Sequence, residues 1–104
     1  MPATWRRPAL AAATAVLLLA DAAAQAQPPA PGMSVETAIV LLGVQHENEG
    51  VGAEYAYIRE HFPGCRPGRQ ALLGANGRRY DSIQLSGPNC PQAVFFDITD
   101  WFGK

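Results

Sequence analysis

The side chains best suited to chemistry in this chain are two histidines and the glutamates near them. His46 directly precedes Glu47, and His61 directly follows Glu60 and lies seven residues after Glu54. Imidazole and carboxylate groups in such positions could act as general acid and base, or bind a metal ion together. His61, however, falls in the last turn of a predicted helix, where an exposed imidazolium interacts favourably with the helix dipole. We therefore expect no catalytic histidine, no metal and no cofactor.

Motifs of other enzyme classes are missing from the sequence. Its serines lie outside the Gly-x-Ser-x-Gly pattern of a nucleophile elbow, and no glycine-rich loop has the spacing of a phosphate-binding loop. The sequence thus predicts a protein that is not an enzyme. The alternative is a small periplasmic hydrolase or metal-dependent enzyme that uses His46 and His61.

Cys65 and Cys90 are the only two cysteines of the chain. In an oxidising compartment, an even cysteine count in a small secreted domain indicates a disulfide. The C-x-x-C spacing of a redox pair is absent, and a zinc site would need His46 and His61 as its remaining ligands. We predict a disulfide that closes a loop of about 26 residues and stabilises the fold by about 3.5 kcal/mol.

The chain begins with the pattern of a secretory signal peptide. Arg6 and Arg7 precede an uncharged apolar run over residues 8–20, and Ala-x-Ala sites at 22–24 and 24–26 follow. The run is shorter than the roughly 20 apolar residues that span a bilayer. We expect cleavage of the leader and a periplasmic or secreted protein that meets the membrane only transiently. An uncleaved leader would instead make it an anchored structural protein of the envelope.

Size and charge limit what the exported part can be. Removal of residues 1–26 leaves about 78 residues, enough for one small domain. Such a domain buries only about 60% of its unfolded surface, so a disulfide would contribute much of its stability. Its six positive and eight negative side chains give a net charge of −2, which argues against a nucleic-acid partner.

A proline-rich tether over residues 27–33 precedes the first predicted helix. Ser34 is a suitable N-cap for a short helix over residues 35–42. Several β-branched residues weaken that helix, so an edge strand is the alternative. Residues 45–52 are polar and contain glycine, and they predict a loop.

The main helix is predicted from an apolar stripe that repeats every three or four residues. Pro63 and Gly64 end this helix. The charged residues Glu54, Arg59 and Glu60 fall outside the stripe. The stripe consists of Val51, Tyr55, Ile58 and Phe62.

Three extended stretches follow, over residues 69–73, 78–85 and 92–99. The Asn-Gly step at residues 76–77 is suited to a hairpin between the first two. With the main helix they predict an α+β fold: a helix packed on a three-stranded antiparallel meander, preceded by the short N-terminal helix. This makes a single domain over residues 34–104.

Alternation within the strands predicts which side chains face the helix. In the third stretch, Val94 and Phe96 face inward and Phe95 faces outward. Tyr80 is out of phase with the apolar residues that follow it. It lies either on the opposite face of the sheet or beside a bulge near Asp81.

The same topology places both cysteines at one end of the sheet. Cys65 precedes the first strand and Cys90 precedes the third, two strand spacings or roughly 9.6 Å away. Bonded cysteines need Cα atoms within about 7 Å. The loops that carry them are therefore expected to lean together.

Aromatic side chains outside the predicted core indicate a surface for a protein partner. Tyr80 and Phe95 are predicted on the second face of the sheet, and Trp101 and Phe102 lie in the C-terminal tail. An exposed aromatic patch is typical of an interface. The alternative is that the short first helix covers this face and that the tail packs against the sheet edge.

Four short motifs follow the order of the predicted elements. They are Phe62-Pro63-Gly64 at the helix end, Asn76-Gly77 in the turn, Arg79-Tyr80-Asp81 in the second strand and Val94-Phe95-Phe96-Asp97-Ile98 in the third. In this order, residues 52–98 resemble the PepSY domain. That family comprises small extracytoplasmic α+β modules that are non-catalytic and are thought to bind or restrain peptidases and other envelope partners. The resemblance implies a small exported binding module, inhibitory or accessory to an envelope protein.

Overall fold

The computed structural model describes residues 30–104, which form one α-helix and one four-stranded sheet. The predicted signal peptide and the first three residues of the tether lie outside these residues. No helix within the described part has the length and apolar character required to cross a bilayer. In chain order the elements are a 3-10 turn (Val35–Thr37), β1 (Ile39–Val40), α1 (Glu47–His61), β2 (Arg66–Ala75), β3 (Arg78–Ser86) and β4 (Ala93–Asp97).

The sheet is mixed, with the strand order β1-β4-β3-β2. Strands β2, β3 and β4 form the predicted antiparallel meander, but β1 adds a fourth strand, parallel to β4, with Ile39 opposite Phe96. The prediction of a three-stranded sheet is therefore wrong. The edge of β4 that pairs with β1 also receives an earlier part of the chain, because the Phe95 amide donates to the Gly32 carbonyl at 2.8 Å. Gly32, assigned to the tether by the sequence, is buried there.

The short helix predicted over residues 35–42 is wrong. Only the single 3-10 turn forms, and the β-branched pair Ile39-Val40 joins the sheet, as the edge-strand alternative expected. A parallel partner strand is available on β4, and tertiary pairing overrides the weak helical pattern. Because the predicted short helix does not form, it does not cover the second face of the sheet; the 3-10 turn that replaces it contacts β4.

Helix α1 begins at Glu47, earlier than predicted, so most of the loop predicted over residues 45–52 is helical. His46 is its N-cap, and Glu47 and Glu49 in the first turn complement the helix dipole. The helix ends at His61, one residue before the predicted end, with Phe62 as its C-cap, and Gly64 follows with a φ of 86°.

The β2–β3 hairpin turns at Asn76-Gly77, where φ is 54° and 75°, as the Asn-Gly step predicts. Strand β2 has 10 residues and extends beyond the predicted stretch at both ends. Its pairing with β3 is irregular between Pro67 and Gln70, whereas β3 itself is regular at Asp81. Tyr80 therefore lies on the face opposite the helix, and the predicted bulge near Asp81 is wrong.

The core lies between α1 and the strands β3 and β4. Buried residues alternate along both strands, but β2 is exposed along nearly its whole length. Helix α1 thus covers the middle of the sheet and leaves β2 uncovered. The buried apolar core consists of Ile58, Ile83, Leu85, Val94, Phe96, Ile98 and Trp101.

Cys65 and Cys90 form the predicted disulfide. Their Cα atoms are 5.8 Å apart, which is closer than two strand spacings. The loops before β2 and β4 lean together, as expected. The bond joins the open end of the β2–β3 hairpin to the start of β4.

Candidate functional site

The four aromatic residues predicted as a partner surface lie on two sides of the sheet. Tyr80 and Phe95 share the face away from the helix, but Tyr80 is 7% exposed. Trp101 is buried, with its ring close to Gly50 of α1, and Phe102 is half-buried nearby. Phe95 and Phe102 are the accessible members of this set, and whether a partner uses them stays a prediction.

The two histidines do not share a cleft. His46 caps the N-terminus of α1 and His61 is its last residue, so about 22 Å of helix separates them. His61 stacks on Tyr57, with 4.0 Å between the ring centroids. Within residues 30–104, no three His, Cys, Asp or Glu side chains are arranged to hold a metal ion.

A groove of about 320 Å³ lies between α1, β2 and the C-terminal tail. It exists because α1 stops short of β2 and because the tail folds back beneath the start of the helix. The Phe102 amide donates to the Ile98 carbonyl, and the Glu47 amide donates to the Lys104 carbonyl. We call it the β2 groove; it is lined by Glu47, Val51, Gln70, Leu72, Asp81, Ile98, Trp101 and Phe102.

Two buried carboxyl groups lie at and beneath the floor of the β2 groove. Glu54 is 0% exposed and Asp81 is 2% exposed. The prediction that Glu54 falls outside the buried face of the helix is wrong, because Gly50, Glu54 and Ile58 form the row that faces the sheet. Asp81 faces the helix because it is in phase with Ile83 along β3.

Most of the oxygen atoms of this pair lack a hydrogen-bond donor. The Gln70 side-chain amide donates to Oδ2 of Asp81. Among the described residues, Oδ1 of Asp81 and both carboxyl oxygens of Glu54 have no hydrogen-bond partner outside the pair. A buried oxygen without a partner is costly, so this cluster is not explained by packing alone.

Burial determines the charge of the pair. Desolvation, a hydrogen bond with the Asp81 side chain and the negative charge of that side chain, in this order of size, together raise the pKa of Glu54 to about 9. Glu54 is therefore protonated at neutral pH. The Gln70 amide donates to the Asp81 side chain, whose negative charge is one of the causes that raise the pKa of Glu54.

The buried pair predicts that the protein loses stability as the pH rises. The pKa of Glu54 is about 9 in the folded chain and returns to about 4.5 when the chain unfolds. Between these values only the folded chain keeps the proton, so the free energy of unfolding falls by at most about 1.4 kcal/mol per pH unit. The stabilisation that protonated Glu54 provides is complete below the unfolded-state pKa of about 4.5 and is lost as the pH rises through the folded-state pKa of about 9. Urea unfolding across this range measures the slope.

Glu54→Gln is the control for this prediction. Glutamine keeps the shape of the protonated side chain but does not titrate, so the variant should show a flatter dependence over the same range. The difference between the two proteins removes the pH-dependent contributions that are common to both. Equal slopes in the two proteins would contradict the predicted role of Glu54.

No protein-family model, curated protein or solved structure matches this chain. The resemblance of residues 52–98 to the PepSY domain therefore stays a prediction. The functional argument depends on the β2 groove and on the strand that borders it.

Proposed function

We propose that this protein is an exported, non-enzymatic binding module that holds a protein partner at the β2 groove. The observation that carries the proposal is the free edge of β2 over residues 70–75, which borders the groove and lacks the usual protection of an edge strand. The predicted leader and the disulfide both fit a protein that acts outside the cytoplasm. An inhibitory or accessory role towards an envelope protein agrees with the PepSY resemblance.

The two halves of β2 differ in how their edge is protected. Natural edge strands avoid unwanted pairing through charges, prolines and bulges. The first half of β2 has all three: Arg66, Pro67 and an irregular register that ends at Gln70. The second half, residues 70–75, pairs regularly with β3 and carries no charge. Its outer edge is free among the described residues.

Exposed leucines mark the same half of the strand. Leu72 is 55% exposed and Leu73 is 38% exposed, and they point to opposite faces of the sheet. A regular, uncharged and apolar edge is suited to pairing with an extended segment of another chain. Such a segment would bond to the backbone of β2 and place alternate side chains over the β2 groove.

The enzyme alternative has no comparable support. The two histidines lie at opposite ends of α1, and the one acidic pair is buried with Glu54 in its neutral form. The alternative of an anchored envelope protein concerns the leader, which lies outside the described residues. The sheet face away from α1, which carries Phe95, is a second candidate surface, and the experiment has to distinguish it from the β2 groove.

Site-specific photocrosslinking tests the proposal. A photoreactive amino acid at Leu73 in the exported protein should capture a protein partner. Mass spectrometry should place the crosslinks within one short segment of that partner, as expected for a segment paired along β2. The same amino acid at Val40 is the matched control, because Val40 is 55% exposed on the opposite sheet edge. A third photoreactive position, Phe95, tests the other face of the sheet. Capture of the partner from position 95 but not from position 73 would overturn the proposed site. Capture of a second copy of this chain would show that β2 mediates self-association, and it would contradict the proposal of a different protein partner.

A further inference from the structure

We infer that the β2 groove binds a lysine or arginine side chain carried by an extended segment of the partner. The inference rests on the proposed function, because strand addition at β2 is what brings such a side chain to the groove. It is carried by an apolar wall, an acidic floor and an aromatic ring that already contacts a cation.

The walls of the β2 groove fit the long apolar stem of a basic side chain. Val51 and Leu72 face each other from the helix and the strand, and Ile98 and Trp101 lie deeper. Lysine and arginine bury such stems against apolar surfaces while their charged ends reach polar groups. The volume of about 320 Å³ is that of a small ligand site.

The floor of the groove supplies the matching charge. Asp81 lines the groove and is 2% exposed, and among residues 30–104 its Oδ1 has no hydrogen-bond partner outside the pair with Glu54. The Gln70 amide already occupies the other oxygen. Oδ1 is buried beside the neutral carboxyl of Glu54, so an ammonium or guanidinium group in the groove is attracted by the charge of the carboxylate and bonds to it after a small side-chain shift.

The charges around Asp81 also favour a single cation. Glu54 is neutral at neutral pH, and Glu47 adds a carboxylate to the lining. None of the eight lining residues is positively charged. Arg79 lies over the ring of Phe102, with 5.2 Å from its guanidinium carbon to the ring centroid, and is not part of the lining. It demonstrates that this ring accepts a cation on its face.

Strand addition gives the direction of entry. Gln70 and Leu72 face the helix side of the sheet, since they lie opposite Ile83 and Asp81 in β3. A residue that pairs with either of them across the free edge of β2 points to the same side. Its side chain would pass between Leu72 and Val51 towards Asp81.

The test is an NMR titration of the exported protein with three extended peptides that differ only at the central residue. The host alternates threonine and valine, and the centre is lysine, norleucine or glutamate. We expect the lysine peptide to bind at least about tenfold more tightly than the norleucine peptide, with shifts at Gln70, Leu72 and the Trp101 indole. The glutamate peptide should bind most weakly.

Variants assign the preference to Asp81. Asp81→Asn should remove the lysine preference, and Asp100→Asn, an exposed carboxylate outside the groove lining, should retain it. If Asp81→Asn does not fold, Leu72→Lys replaces it: a lysine at this exposed position offers its own ammonium to Asp81 and should abolish the preference. Leu72→Met lengthens the side chain without adding charge and should retain it.

The outcomes separate this inference from the proposed function. Equal binding of the lysine and norleucine peptides at β2 would contradict the inferred preference for a basic side chain but would remain consistent with the proposed binding function. Absence of peptide binding, with capture of a partner from position 73, would have the same consequence. If neither peptide binding nor capture occurs, the proposed function falls together with the inference.

Discussion

Replacing Gly50 with alanine is expected to lower the free energy of unfolding by about 1–3 kcal/mol. Alanine is normally the better helix former, by about 1 kcal/mol over glycine, so helix propensity alone predicts the opposite sign. Gly50 is buried in the first half of α1, and a β-carbon built there would overlap the indole ring of Trp101. Urea unfolding at constant pH measures the difference.

Gly52→Ala is the matched control in the same helix. A β-carbon at Gly52 meets no atom within 4 Å, so only the propensity term remains. This variant is expected to be more stable than the wild type by about 0.4–1 kcal/mol. If alanine stabilised the protein at both positions, the close packing of Gly50 on Trp101 would be contradicted.

The contact between Gly50 and Trp101 also explains why the start of α1 could not be predicted from the sequence. Two glycines and several polar residues over positions 45–52 are typical of a loop. Gly50 is present in the helix because the tail approaches it closely, and that approach depends on a residue 51 positions later in the chain. Tertiary packing here overrides a local signal.

Features with a local cause were predicted well. The Asn-Gly turn, the end of α1 before Pro63 and the two faces of β4 each depend on neighbouring residues. The disulfide was also predictable, because two cysteines allow one intramolecular pairing. The parallel pairing of β1 with β4 was not, since it joins distant segments and involves only two residues of β1.

The β2 groove was missed for a related reason. An apolar stripe predicts a helix but does not define the limits of its buried face. Glu54 lies directly before Tyr55 of the predicted stripe, and in the structure the buried face includes Glu54. Its neighbour Asp81 lies on another element, and the sequence linked it only to a possible bulge. Of the residues chosen for their aromatic character, Trp101 and Phe102 do line the groove.

The acidic pair makes the domain more dependent on its covalent link. Burying Glu54 and Asp81 without a full set of donors opposes folding, and the core has only a few large apolar side chains. A domain of about 75 residues has little stability in reserve. The disulfide is the feature that can offset this cost, because it restricts the unfolded chain rather than adding contacts to the core.

Removing the disulfide should therefore lower the free energy of unfolding by about 3.5 kcal/mol. The double variant Cys65→Ala/Cys90→Ala opens the loop of 26 residues that contains the whole β2–β3 hairpin and frees it from the start of β4. At about 4–8 °C per kcal/mol for a domain of this size, Tm should fall by roughly 14–28 °C. Thermal and urea unfolding, followed by far-UV circular dichroism, measure both quantities.

Reduction of the wild-type protein gives the same result by an independent route and serves as the control for the substitutions. Loss of stability in the double variant but not in the reduced wild type would trace the effect to the alanines. A loss below about 1 kcal/mol in both would contradict the chain-entropy argument. Since the hairpin carries the free edge of β2, we also expect either change to weaken capture of a partner from position 73, because an unfolded chain presents no edge strand.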